Sequence, residues 1–246
     1  MYFNHGLWGE VVPDGPDYCH WGGRVQSRSV LNLLGITSGD RVLEICCGRG
    51  GTLQHLAETR FVFGIDLSGE ALQWAKQKEL AVAQANALRL PFKNGVFTKI
   101  LSQDADAWMY NKEHLAQELH RVAKDRCKLV IQTYARSEMM PADLVNMTNS
   151  FLKRCGYSEH ELPVVERVSA ILEMSGWHVE QNTSLHSLYT ADNEQMIRRL
   201  KRSKEAIETR YRRSDVVAVE KLLRHERFLF RNHFWTGMLL VARAKK

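Results

Sequence analysis

Arg41-Val-Leu-Glu-Ile-Cys-Cys-Gly-Arg-Gly-Gly51 is the stretch on which the fold turns. Arg41 to Cys46 is a compact apolar run, preceded by Ser38-Gly39-Asp40 and followed by glycines, which predicts a strand ending in a tight turn. Thr52 to Thr59 then carries a helical pattern. Glycines at such a turn let backbone amides approach a ligand, because no Cβ stands in the way. A Gly-x-Gly alone also fits a nicotinamide or flavin site. Glu44 argues otherwise. A carboxylate just before the turn would repel a pyrophosphate, and it suits a ligand with an ammonium group and no phosphate.

Strands and helices alternate outward from this turn. Strands are expected over 61–65, 80–85, 97–102 and 128–134, and helices over 27–34, 69–78 and 113–122. Short alternating units imply parallel strands joined by right-handed crossovers. Helices over 142–155, 164–174, 192–213 and 215–230 are expected after them, with strands over 176–182 and 234–243. Tyr2 to Gly23, rich in Gly, Pro and aromatics, reads as an irregular arm without a core helix.

Three later positions extend the ligand argument. Asp66, with Leu67 beside it, ends the second strand, where a carboxylate accepts both hydroxyls of a ribose. Asn86-Ala87 follows the third strand and offers an amide and a backbone N–H to an adenine edge. Ser102-Gln-Asp-Ala105 follows the fourth. The implied ligand has adenine, ribose, a positive centre and no phosphate.

This ordered set resembles the class I S-adenosylmethionine-dependent methyltransferases. Glu44 to Gly50 is similar to their first motif, Asp66 to the ribose acid and Asn86-Ala87 to the adenine pair. Cys-Cys-Gly-x-Gly-Gly, His20-Trp-Gly-Gly23 and Gln103-Asp-Ala-x-Ala-Trp108 resemble sarcosine/dimethylglycine-type enzymes and the related quinone, tocopherol and prenyl methyltransferases. The resemblance implies an α/β, Rossmann-like, doubly wound sheet of seven strands whose last strand is antiparallel. It implies S-adenosylmethionine as cofactor, held by Tyr18, Trp21, Glu44, Cys46, Gly48, Gly50, Asp66, Leu67, Asn86, Ala87 and Gln103. Asp104 and His20 are the candidate catalytic residues, with Asp106 beside them. The sequence departs from the pattern where Cys46 replaces the first glycine, Asn86 replaces Asp, and Arg121-Val-Ala-Lys-Asp-Arg126 replaces the turn before the fifth strand.

At 246 residues the chain suits one domain: an arm (1–26), a cofactor core (27–136), helical segments over the ligand edge (137–175 and 187–232) and a closing strand (234–244). With 44% hydrophobic and 25% charged residues, composition excludes disorder, collagen and coiled coil as the main state. No apolar stretch is long enough to span a bilayer, so no integral membrane association is expected. The opening residues show no secretory signal pattern, and five cysteines without a C-x-x-C pair argue against a disulfide framework or a metal site, so a cytoplasmic protein is expected.

The net charge of +6 is concentrated. Met196 to Arg213 holds eight basic and two acidic residues, a surplus as large as that of the whole chain. Such a segment is either a solvated helix face or an attractor for an anionic acceptor, an acidic membrane surface or RNA. With Tyr211 its single aromatic, nucleic acid is the weakest of these. The expected reaction is methyl transfer to a small-molecule amine or amino acid. The alternatives are C- or O-methylation of a quinone, phenol or prenyl diphosphate, and a non-catalytic partner protein of the same fold.

Overall fold

Val42 to Ile45 are all buried, as befits a strand covered on both faces, and they form β1 (Arg41–Ile45) at the centre of the sheet. The computed structural model describes residues 5–56, 61–105, 111–154 and 162–246. β1 pairs in parallel with β2 (Phe61–Asp66) on one side and with β4 (Phe97–Gln103) on the other. β3 (Val82–Gln84) extends the β2 side and β5 (Ala123–Arg136) the β4 side. β7 (Trp235–Ala244) lies antiparallel between β5 and β6 (Trp177–Ser184). The order is β3-β2-β1-β4-β5-β7-β6, so the expected seven-stranded, doubly wound sheet with an antiparallel last strand is present. Winding reverses between β1 and β4, and open sheets of this kind form their ligand crevice at that point, beyond the carboxyl ends of the strands.

Side-chain alternation sets the two faces. Leu43, Ile45, Ile100, Leu129 and Ile131 face α4 (Lys112–Val122) and α6 (Val165–Met174). Val42, Leu101, Val130, Leu239 and Val241 face α2 (Gly23–Leu34). By the same period Glu44, Gln103 and Gln132 point to the α2 side at the crevice. α3 (Gly69–Gln77) and α4 start on side-chain caps: Ser68 accepts from the Ala71 N–H at 3.1 Å and Asn111 from the His114 N–H at 2.8 Å. A second core joins α1 (His5–Val11), α5 (Ala142–Arg154), α7 (His186–Glu208) and α8 (Arg213–Arg231) over the ligand edge. No helix among the described residues is long and apolar enough to cross a membrane.

Several expectations need correction. The arm is not without a core helix: α1 buries Leu7, Trp8 and Val11 in the second core. Its apolar period is only seven residues long and is broken by Gly9, which packs against Pro16. The helix expected from Ser27 begins at Gly23, and the one expected from Asp192 begins at His186. Asp192 looks like an N-cap, yet its carboxylate accepts the Gly22 N–H of the arm. Thr52 to Thr59 is a short 3-10 turn over Leu53–Leu56, with 57–60 outside the described residues. The segment Arg121 to Arg126 makes no loop: α4 runs straight into β5, with Arg126 at φ 57°.

Candidate functional site

The glycine turn is braced from both sides. Asp66 accepts the Gly48 N–H through Oδ2 and the Ser68 N–H through Oδ1, each at 2.8 Å, so one carboxylate joins the end of β1 to the end of β2. Cys46 adopts φ 54°, the left-handed conformation that glycine takes without penalty. Cysteine in place of the first glycine therefore keeps the turn's shape at a cost of about 1 kcal/mol. The arm crosses directly above. A Cβ on Gly51 would stand 2.3 Å from the Asp17 carbonyl oxygen, and Lys78, at the C-terminal cap of α3, holds Asp17 at 2.6 Å.

A chain of hydrogen bonds runs from the arm into the sheet. His20 Nε2 meets Ser27 Oγ at 3.0 Å, Ser27 Oγ meets Thr52 Oγ1 at 2.9 Å, and Thr52 donates to Gln103 Oε1 at 2.9 Å. On its other side, His20 Nδ1 lies 3.3 Å from the Trp21 carbonyl and 3.5 Å from Gln103 Nε2. Burial pushes the His20 imidazole down to about 4, so it is neutral at pH 7.

Asp104, at φ 56° beyond β4, collects three other parts of the chain. Its Oδ2 accepts the Trp21 N–H and Gln132 Nε2, both at 2.8 Å, and its Oδ1 accepts the Tyr189 hydroxyl of α7. Gln132 Nε2 also reaches the Trp21 carbonyl at 2.8 Å. Burial and the Asp104 charge raise the Tyr189 phenol well above its ordinary value, so it stays a donor. The Trp21 ring stacks on Tyr189 at 5.3 Å with Phe230 edge-on at 5.6 Å, and Tyr134 stacks on Trp235 at 6.0 Å. Aromatic faces around a carboxylate favour a cation.

Glu44 is 4% exposed, and its Oε2 has no hydrogen-bond partner among the described residues. Burial, with a hydrogen bond to Thr52 opposing it, raises its carboxyl from 4.5 to about 8. Burial does the same to Glu226, where α7 and α8 meet beside Asn193. Both acids hold a proton in the folded chain that the unfolded chain releases near pH 4.5, so stability should fall as pH rises from there to about 8. The slope is at most about 1.4 kcal/mol per pH unit for each group. Urea unfolding at pH 6 and pH 8.5 checks this. Glu44→Gln should be more stable than the parent at pH 8.5 and lose part of the pH dependence; equal slopes for the two proteins would show that Glu44 is not the source.

The expected site residues lie in the arm and at or just beyond the carboxyl ends of β1 to β4, though with other partners than expected. Tyr18 is buried, with its hydroxyl 3.0 Å from His55 Nε2. Asn86 Oδ1 accepts the Leu88 N–H at 2.9 Å, Ala87 is buried, and Leu67 is exposed. Asp106 lies outside the described residues. Tyr189, Gln132, Ser27 and Thr52 were not anticipated. Gln132 had a signal, a polar residue inside the apolar run Leu129-Val-Ile; Tyr189 had none, because only the fold carries it to Asp104. In the basic segment, Arg199 donates to the Val12 and Pro13 carbonyls at 2.9 and 2.6 Å and Arg210 pairs with Glu10 at 2.7 Å, so these two cations fasten the arm to α7 and the turn after it.

A methyltransferase domain model matches residues 36–201 of the chain. Phosphoethanolamine N-methyltransferase 1 of Triticum aestivum is 26% identical over 172 residues, covering 67% of this chain and 33% of that protein. The 2-phytyl-1,4-naphthoquinone methyltransferase of Nostoc sp. is 31% identical over 131 residues, covering 46% and 55%. The chain thus spans between a third and just over half the length of these relatives. Among solved structures, the phosphoethanolamine N-methyltransferase 2 of Haemonchus contortus superposes with a TM-score of 0.84 at 17% identity, covering 99% of this chain and 58% of that one, which is a likeness of fold.

Proposed function

This chain belongs to the methyltransferase domain family, and we propose that it transfers a methyl group from S-adenosylmethionine to a small-molecule acceptor, with the nitrogen of an amine or amino acid as the acceptor atom. The observation that carries the cofactor is Glu44: its buried carboxyl has a bare oxygen on a glycine turn, and an ammonium group placed there would favour its ionised form and pair with it, which a pyrophosphate could not do. Asp66 retains lone pairs for the ribose hydroxyls, and Leu67 and Ala87 flank the place for an adenine. S-adenosylmethionine, when bound, supplies a methyl group already activated by its sulfonium. The protein's part is to align the acceptor and exclude water. Asp104, with both oxygens occupied, orients Trp21 and Tyr189 and attracts a positive acceptor by its charge. Neutral His20 fixes the arm through Ser27. The acceptor nitrogen forms its new bond with a lone pair and sheds its proton to a nearby base or to water.

C-methylation of a quinone is the second reading, favoured by the flat faces of Trp21 and Tyr189 and by the Nostoc relative. Release of S-adenosylhomocysteine over a panel of amines, amino acids, phosphoethanolamine and naphthoquinones tests both. Turnover with an amine supports the first reading and turnover with a quinone the second. Cofactor binding without release from any acceptor would leave a non-catalytic binder and overturn the enzyme assignment.

A further inference from the structure

The outer side of the α7–α8 pair carries a charge pattern that methyl transfer does not use. Residues 194–231 hold twelve Lys and Arg against six Asp and Glu, a surplus equal to the net charge of the whole chain. Cross-helix pairs show which residues share the outer seam. Glu194 of α7 meets both Arg227 and Arg231 of α8, at 2.8 and 2.7 Å. Glu220 of α8 takes Lys204 at 2.7 Å and Arg224 at 2.9 Å. Each acid on the seam is therefore outnumbered two to one. Arg198 and Lys201, one and two turns beyond Glu194, are exposed and have no ion-pair partner among the described residues. A further acid of this stretch, Glu226, is buried beneath the seam and kept protonated by that burial up to about pH 8.

An apolar anchor stands in this field. Phe228 is 46% exposed, one turn from Arg224 and next to Arg227. Met147, 54% exposed, is a further exposed apolar residue on α5, the helix whose Thr148 meets His225 of α8 at 3.0 Å. Basic side chains around a protruding ring match a lipid interface, where arginines meet phosphate oxygens and the ring enters the headgroup–acyl boundary. Single-stranded nucleic acid is matched less well, because stacking successive bases needs a row of ring faces and the patch has only the adjoining Phe228 and Phe234 among the described residues.

We propose that the outer face of α7 and α8 docks the protein on an anionic bilayer surface, with Phe228 as the inserted side chain. This surface is independent of which acceptor is methylated. On a bilayer it would bring the ligand edge, which the same two helices cover, close to the plane from which an amphiphilic acceptor would come.

Sedimentation of the full chain with phosphatidylcholine vesicles, with and without phosphatidylserine, tests it. Binding is expected only with phosphatidylserine, and should weaken as salt rises. Arg198→Glu with Lys201→Glu should abolish it; both residues are exposed and have no ion-pair partner among the described residues, so the fold is not at risk. Phe228→Ala should reduce it several-fold, while Met174→Ala, an 87% exposed control on α6, should leave it unchanged. No sedimentation with phosphatidylserine at low salt, equal binding to both vesicles, or indifference to the charge reversal overturns the proposal. Retention of full binding by Phe228→Ala overturns the anchor. Charge-dependent binding to single-stranded RNA without binding to vesicles also overturns it, in favour of a nucleic-acid surface.

Discussion

Asp66→Ala is expected to raise the dissociation constant for S-adenosylmethionine by about two orders of magnitude or more. The carboxylate would serve twice. It would accept the ribose hydroxyls, and each hydrogen bond to a charged acceptor contributes roughly 1.5–3 kcal/mol. It also holds the Gly48 and Ser68 amides at 2.8 Å, so its loss frees the glycine turn that must meet the rest of the ligand. Two bonds at the lower limit already amount to about 3 kcal/mol, or roughly a hundredfold. Asp66→Asn keeps one acceptor oxygen and should fall between parent and alanine variant. Calorimetry reads the affinities directly. An unchanged constant in Asp66→Ala would refute the assignment of the cofactor to this crevice.

The second large effect is expected at Asp104, with the opposite division between binding and turnover. Asp104→Asn should leave cofactor affinity within a few-fold, because Asp66 and Glu44 are untouched. Its kcat should fall by about a hundredfold or more, since small misplacements of aligning groups cost that much. The asparagine amide cannot accept all three donors that the carboxylate holds, from Trp21, Gln132 and Tyr189. Tyr189→Phe removes one of those donors and should show a smaller fall in the same direction. Asp104→Ala would strand the donors in a buried place at about 1–3 kcal/mol each, so it should unfold at lower denaturant as well. A merely structural Asp104 would give an asparagine variant with lowered stability and parental kcat.

The first half of the chain was more legible than the second, for a physical reason. Arg41 to Gly51 and Asp66 are set by local chemistry: an apolar run, a glycine turn and an acid at a strand end, each readable within a few residues. The strand positions through 134 follow from the same local alternation. What escaped was set by distance. α1 has too few turns to show a period, and its burial depends on α7, nearly two hundred residues later. Tyr189 becomes part of the site because Asp104 lies opposite it in space. Arg199 belongs by composition to a basic segment, but in the fold it ties down the arm. Cys46 was legible as a departure from glycine but not in its outcome, because a sequence does not show whether the backbone will bend to the side chain or the side chain will tolerate the backbone.

The position of β7 has a consequence for how this molecule is made. Of the seven strands it is synthesised last, yet it sits inside the sheet, between β5 and β6. Until it is synthesised β6 has no partner strand, and Tyr189, whose ring packs over Gly237 of β7, has no floor. β1 to β5 can pair earlier, as neighbouring segments generally do during synthesis. The arm, made before α7, must wait for that helix to receive it. A nascent chain would therefore carry an assembled glycine turn and an unassembled acceptor side, and could hold the cofactor well before it could use it.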